Sequence, residues 1–392
     1  MRLLRKLVPF SFKFLAGILL FLFMALSIQY LTTTIYDFKP GHPFYGKKWY
    51  NPYQEIGTLK VRANFHAHSR AWGGWTHGNN SPSELHEAYQ KEGYEVHAIS
   101  NYFQIDTNGK CKNPNYVPAY EHGMNLQKTH CLVLNAQHVS YTDYFLFQTT
   151  SHQQSVIEAI KKKGGLIVLA HPSFLYARSL TDMRKLEHYD LIEVLNQFRF
   201  SDKHWDEALS AGRLAFLIAN DDSHGNKKGQ IFRSWTEIFV DKLGKKEMFN
   251  ALLKGKAVGV ATIYPTSPVQ NNFVSCQLKQ DTICVQFDNI ADSILFIGQS
   301  GKIKKIAFQT NKASYILKPY DTYIRIKSIN AETHVYLNPI VRYERNLPFA
   351  NELIPKQKTF ETWLVRTLFF LLAFLFAFLL FLLLKSKKQW RG

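Results

Sequence analysis

Fifteen histidines stand in this chain, and fourteen of them fall between His42 and His224. Two are spaced as His66-Ala67-His68 at the end of the run VRANFHAH. Side chains alternate across a strand, so both imidazoles share a face and can share a metal ion. The run LIVLAHP ends in His171 before a proline, and FLIANDDSH ends in Asp221, Asp222 and His224. Glu193 interrupts the apolar run DLIEVLN. A buried strand that carries ionisable groups to its mouth needs a ligand or partner for them, because an unpaired buried charge is costly.

Those residues sit at the ends of short apolar runs that alternate with helical patterns from Lys60 to Ile263. In SPSELHEAYQKEG, Ser81 reads as an N-cap, Pro82 as the first helical position and Glu84 as the capping-box partner. YEVHAIS, HCLVLNAQHVS, DYFLFQTT, LIVLAHP, DLIEVLN and LAFLIAND read as strands, and HQQSVIEAIKKKGG as a helix stopped at Gly164-Gly165. Lys110–Lys128 reads as an excursion. The alternation predicts a mainly parallel sheet, open or closed into a barrel, with chemistry where strands end: His66, His68, Asn101, His138, His171, Asp222 and His224. From Tyr264 to Pro348 short alternating runs with turns predict a small antiparallel β-sandwich.

Two segments carry no polar face. Phe14–Tyr36 holds no charge before Asp37, and Leu368–Leu384 reads LFFLLAFLFAFLLFLLL. From Trp363 the second reaches about twenty residues, enough to cross a hydrocarbon core of about 30 Å. The first is read as an anchor, with a signal peptide cleaved near Ala25-Leu26-Ser27 as its alternative. Basic residues flank both segments, which predicts both termini in the cytoplasm and an extracytoplasmic middle at a cell (inner) membrane. The formal net charge is +18; the nine cations beside these segments leave +9 for the middle. Without cationic blocks or a nucleic-acid motif there, nucleic-acid binding is not expected. The expected units are residues 1–36 (cytoplasmic tail and anchor), 37–59 (linker), 60–263 (α/β), 264–350 (β-sandwich), 351–362 (linker), 363–385 (membrane helix) and 386–392 (basic tail).

Four cysteines are present, and none forms a CxxC pair, which argues against a zinc ribbon or a thioredoxin motif. A turn at Lys279–Asp281 would set Cys276 opposite Cys284 at disulfide distance; Cys111 and Cys131 make the second candidate pair, and four free thiols are the alternative. Trp72 and Trp75 in AWGGW read as a packed loop, or as the wall of a sugar site.

His66-x-His68, SPSEL, Ala-His171-Pro172, Ile-Glu193-Val and Asp222-x-His224 follow in an order that resembles the PHP (polymerase and histidinol phosphatase) family. The resemblance spans Lys60–Ile263. It implies a distorted (β/α)7 barrel, up to three divalent metals and hydrolysis of phosphate esters, and the β-rich tail resembles an appendage of some members. It places His66, His68, His171, Asp222 and His224 at ligand positions. The chain departs where the family has Ser-Asp-Gly (here Thr76-His77-Gly78) and Thr-Asp-His (here Ser100-Asn101-Tyr102). The family's bridging glutamate aligns with His138, and its next histidine falls near Tyr144 or Phe145.

Loss of a bridging carboxylate would remove negative charge between cations, which argues against three metals. One or two ions are expected, with His77 and His138 as nitrogen ligands that tilt preference to zinc, manganese or iron being alternatives. An open position could then carry water with a pKa near ~7. In the roles so implied, His171 or His224 serves as general acid, and Arg199 or Lys227 neutralises a bound phosphate. The leading expectation is a membrane-anchored, metal-dependent hydrolase acting through metal-activated hydroxide on an envelope or exported phosphate ester. A catalytically degenerate binding or scaffold module and a metal-dependent amide or ester hydrolase are the alternatives.

Overall fold

A computed structural model describes residues 2–75, 78–108, 115–225, 231–262 and 271–385. The chain begins with α1 (Arg2–Tyr30), β1 (Tyr36–Asp37), β2 (Lys48–Tyr50) and β3 (Leu59–Asn64). In α2 (Pro82–Lys91) the expected capping box forms: the Ser81 hydroxyl accepts from Glu84 N at 3.3 Å, and the Glu84 carboxylate accepts from Ser81 N at 2.7 Å. Next come β4 (Val96–His97), β5 (Ala119–His122), β6 (Cys131–Leu134), α3 (Thr150–Lys161) and β7 (Leu166–Leu169). They are followed by α4 (Leu180–Lys185), β8 (Leu191–Asn196), α5 (Asp202–Ser210) and β9 (Phe216–Asn220). Strand β10 (Ser234–Val240), α6 (Lys245–Leu253) and β11 (Ala257–Thr262) precede the β-rich part. That part holds β12 (Phe273–Lys279), β13 (Thr282–Gly298), β14 (Lys302–Ile316), β15 (Tyr323–Ile329), β16 (Thr333–Leu337) and β17 (Ile340–Tyr343). The chain ends in β18 (Lys356–Gln357) and α7 (Thr359–Lys385).

The described strands form two larger open sheets, not the closed barrel that was expected. One has the order β5-β6-β7-β8-β9, antiparallel from β5 to β7 and parallel from β7 to β9. The other runs β12-β13-β15-β16-β11-β10-β3-β4. Between the sheets there are only isolated bridges, Ala67–Ser223 and Tyr102–Glu121, both at the end that carries the histidines. The side of β11 that might close a ring is taken by β16, in register from Val258–Leu337 to Thr262–Thr333. The expected separate β-sandwich is therefore an antiparallel extension of the α/β part's own sheet. Both faces of the five-stranded sheet are covered, and Leu132, Val168, Ile192 and Leu217 are fully buried.

Two local expectations change. Segment 143–149 is irregular, not a strand, because its amides find side-chain partners in place of a ladder. Tyr144 N donates to Asp143 Oδ1 (2.8 Å), Phe145 N to Gln29 Oε1 (3.0 Å) and Phe147 N to the Tyr30 hydroxyl (3.2 Å). In the β12–β13 hairpin Cys276 faces Val285 while Gln277 faces Cys284, one residue out of the expected register. Since side chains alternate, Cys276 is buried and Cys284 exposed, and both are free thiols, as is buried Cys131. Cys111 lies outside the described residues.

Helices α1 and α7 are apolar and long enough to cross a membrane by length and composition. They pack antiparallel: Phe23 stacks on Phe376 at 5.4 Å and Tyr30 on Phe369 at 4.9 Å. Helix α1 ends at Tyr30, short of the expected Tyr36, which instead pairs with Gln357 between β1 and β18. Arg366, a cation within α7, donates to Thr33 O (2.8 Å) and Thr34 Oγ1 (3.0 Å), just past the end of α1.

Candidate metal centre

One end of the two sheets gathers its ionisable groups because of strand direction. His66 and His68 follow β3, His171 follows β7 and Asp222 follows β9. Strands β5 and β6 run antiparallel, with His122 opposite Cys131, so Glu121 near the end of β5 and His130 just before β6 arrive at the same mouth. All of these side chains are buried.

The donor atoms form two groups that share one carboxylate. His66, His68, Glu121 and Asp222 make the first, and Glu121, His130 and His171 the second. In the first, the two imidazole Nε2 atoms are 3.3 Å apart. Glu121 Oε2 stands 3.4 Å from His66 Nε2 and 3.1 Å from His68 Nε2, and Asp222 Oδ1 3.3 and 3.2 Å from the same atoms. In the second, Glu121 Oε1 is 2.7 Å from His130 Nδ1 and 3.1 Å from His171 Nε2. Glu121 thus turns one oxygen to each group. Oε2 is buried with no hydrogen-bond partner. A lone-pair oxygen facing two imidazole nitrogens without a hydrogen bond is what a cation would satisfy, so the donor set fits a divalent metal.

A supporting layer orients the donors. Glu193 Oε1 lies 2.9 Å from His66 Nδ1 and accepts from Asn220 Nδ2 at 2.9 Å. Its Oε2 accepts from His171 N (2.9 Å) and from Asn196 Nδ2 (3.2 Å). A carboxylate can only accept here, so Nδ1 of His66 carries the proton and Nε2 is the nitrogen free to bind a cation. Asp221 takes no part: its oxygens accept from Phe232, Arg233 and Ser234 amides and from the Tyr89 hydroxyl. Asp222 and His171 both have positive φ, +52° and +26°, so two donor positions hold strained backbone.

Electrostatics agree with the geometry. Burial opposes charge on His66, but Asp222, Glu193 and Glu121 outweigh it and raise its pKa well above the ordinary value. Burial also opposes ionisation of Glu121, yet His130 and His66 hold it well below the usual carboxylate range. The site stabilises positive charge among ionised carboxylates. Burial and His68 push His224 down to about 4. Its ring stacks on His68 at 4.5 Å, and Nδ1 is 3.0 Å from the Asp222 carbonyl, so Nδ1 carries the proton.

No protein-family model matches the sequence, and no curated protein matches it. Solved structures do. One is a two-domain protein from Bacteroides vulgatus containing a predicted PHP-like metal-dependent phosphoesterase, with TM-score 0.40 and 10% identity over 82% of this chain and 99% of that one. Another is a lesion-specific endonuclease from Pyrococcus furiosus, with TM-score 0.35 and 12% identity over 50% of this chain and 56% of that one. At this degree of likeness the site is defined by the chain's own donor atoms.

Of the residues singled out in the sequence, His66, His68, His171 and Asp222 stand in the donor groups, and His224 packs against them. His138 is exposed in the loop after β6 and belongs to neither group. Glu121, not His138, is the residue shared by the two donor groups. Arg199 is exposed, and His77 and Lys227 lie outside the described residues. Asn101 braces the loop after β3, accepting from Ser69 N at 2.9 Å and donating to Ser69 Oγ at 2.8 Å. Tyr102 stacks on His68 at 4.8 Å.

Sequence reading missed Glu121 and His130. The strand that carries Glu121, AYEH, is only four residues long and lay inside the supposed excursion Lys110–Lys128; the bracketing Pro118 and Gly123 were its signal. His130 was visible at the head of HCLVL, but it sits before its strand, and only an antiparallel β6 makes that end the site end.

Proposed function

We propose that this chain is a membrane-anchored, metal-dependent hydrolase of phosphate esters. The observation that carries the reading is the buried Glu121 carboxylate divided between two donor groups. His66, His68 and Asp222 would hold one cation and His130 and His171 a second, with Glu121 between them. Bound cations there supply polarisation of a phosphoryl oxygen and activation of water. Glu193 fixes the His66 ring, and His224 packs its ring on His68 with Nδ1 held at the Asp222 carbonyl. The silent binding module rests on the loss of several customary ligands, and Glu121 supplies a shared carboxylate counted among those losses.

Support for the membrane reading is the antiparallel pairing of the two apolar helices α1 and α7, in contact at Phe23–Phe376 and Tyr30–Phe369. With the positive-inside rule, the proposed orientation has the body outside the cytoplasm. A reporter enzyme fused within Lys60–Pro348 is expected to be active only when exported, and cytoplasmic activity would overturn the orientation.

The functional test is metal content and hydrolysis by the full chain in detergent. At least one transition metal per chain is expected, with hydrolysis of a p-nitrophenyl phosphodiester, and both are lost together in His66→Ala/His68→Ala. A folded chain that neither retains nor takes up zinc, manganese or iron would overturn the reading.

A further inference from the structure

A cavity of about 280 Å³ adjoins the donor cluster. Tyr102 and His130 line it together with Trp75, Met124, Leu126 and Phe145, and Lys128 stands at its wall. His130 is 3% exposed and presents Nδ1 to Glu121, while its Nε2 is buried with no partner among the described residues. Gly123 makes room for this ring: its φ is +132°, and a Cβ there would stand 2.6 Å from His130 Cδ2. The cavity is apolar at its rim and ionic at its floor.

The rim residues are exposed yet held firmly. Met124, Leu126, Phe145 and Phe147 are all exposed, as is Trp75. Their backbone is fixed by a polar knot: Met124 N donates to Asp143 Oδ2 (2.8 Å), Leu126 N to Phe145 O (2.9 Å) and Gln148 Nε2 to Asp143 Oδ1 (2.7 Å). Rigid display of large apolar side chains toward solvent marks an interaction surface. The neighbouring element says which one. Gln29 and Tyr30, at the end of α1, bond to Phe145 and Phe147, so this rim is stapled to the mouth of the helix pair. On the other side of segment 145–147 lies a second cavity, of about 370 Å³, lined by Phe23, Leu26, Tyr30, Leu146, Phe147 and Phe369.

The two cavities flank segment 145–147, one against the α1–α7 pair and the other against His130 of the donor cluster. Lifting an alkyl chain from a bilayer into water costs roughly a factor of four in population per methylene. The exposed Phe145 and Phe147 on the segment between them, with Met124 and Leu126, offer apolar surface to such a chain while a head group lies by Lys128 and His130. We propose that the substrate is a membrane-resident phosphate ester, whose head lies in the Tyr102–His130 cavity while its hydrocarbon chain lies across segment 145–147 toward the α1–α7 pair. This rests on the phosphoesterase reading above and on α1 and α7 spanning the membrane.

The test uses the full chain in phosphatidylcholine vesicles, with a dodecyl phosphate that carries a diazirine in mid-chain. Photolabelling is expected to concentrate on Leu126 and on Phe145–Phe147. Excess unlabelled dodecyl phosphate suppresses it at least tenfold and dodecanol does not, because the head must be held. Lys128→Glu lowers labelling several-fold. Labelling spread along the outer faces of α1 and α7, with no competition by dodecyl phosphate, overturns the proposal without any variant. In parallel, ethyl and dodecyl p-nitrophenyl phosphate are offered with zinc or manganese. Phe147→Asp is expected to lower the dodecyl-to-ethyl ratio of kcat/KM about tenfold or more. If the ethyl ester is hydrolysed but labelling is diffuse, the lipid assignment fails and the hydrolase stands. Focused labelling with neither ester hydrolysed overturns both the substrate assignment and the hydrolase reading.

Discussion

Two buried polar clusters hold this molecule's charges in different ways. At the joint between α5 and the C-terminal sheet, Arg325 donates to Asp206 through Nε and one terminal nitrogen, both at 2.7 Å. The Tyr323 hydroxyl donates to Asp206 (3.0 Å) and the Tyr336 hydroxyl to Asp202 (2.9 Å), so all four carboxylate oxygens accept a hydrogen bond from the protein. At the mouth of β3, β5, β7 and β9, three carboxylates meet four imidazoles, and no arginine or lysine joins them among the described residues. Glu121 Oε2 is left without a hydrogen bond. In the first cluster no carboxylate oxygen is left over; its one orphan among the described residues is a donor, Arg325 Nη1, which a cation cannot satisfy. The second becomes complete with a cation, and that difference separates a structural ion network from a functional one better than burial does, since both are buried.

The contrast can be broken by mutation. Asp206→Ala leaves the buried Arg325 with Asp202 at 3.3 Å as its one carboxylate partner among the described residues and is expected to destabilise the chain by up to about 3–5 kcal/mol, read from denaturant unfolding. Its metal content per folded chain should stay at the wild-type value. A fall in metal content with stability intact would mean that the two clusters are not independent.

Glu193→Gln sharpens the other side. The amide keeps the shape but not the charge that fixes His66 and supports its basicity, so metal affinity is expected to fall about 10–100-fold by competition with a chelator. An unchanged affinity would remove Glu193 from the site's supporting layer.

pH gives the smallest and most graded effect. His66 has its pKa raised above 6.5, so its stabilisation of the metal-free chain is full below about pH 6.5 and is lost as pH rises through the raised value. Glu121 and Asp222 are lowered, so their contribution is present above their ordinary values of 4.5 and 3.8 and is lost as pH falls through the lowered ones. The joint contribution of these three groups to the metal-free chain is therefore greatest between about pH 4.5 and 6.5. Zinc must displace the His66 proton, so its affinity should climb by about tenfold per pH unit over that titration. The thermal shift on adding zinc should widen from pH 5.5 to 7.5; a shift that narrows would contradict the assignment.

How much of this was legible in the sequence follows from how local each signal is. His66 and His68 show their common face through two-residue spacing, and Ser81 shows its cap through Glu84. His171 and Asp222 show themselves by ending apolar runs. The bridging role of Glu121 is not local: it depends on β5 and β6 turning antiparallel, a pairing that four-residue strands do not announce. His138 was misplaced for the same reason, since a following Val-Ser match says nothing about which strand a residue belongs to. The Cys276–Cys284 register failed by one residue because the hairpin pairs Lys279 with Thr282. Segment 143–149 alternates like a strand, but its amides bond to Asp143, Gln29 and Tyr30, two of which are more than a hundred residues away.

The most direct measurement is metal stoichiometry in the purified full chain against Glu121→Gln, counted by elemental analysis beside a folding control. The shared carboxylate predicts two divalent ions per wild-type chain under saturating zinc, and one or none in Glu121→Gln, with phosphodiester hydrolysis down by about 1000-fold or more. A folded Glu121→Gln chain that keeps the wild-type metal count and turnover would contradict the dinuclear site at the centre of this account.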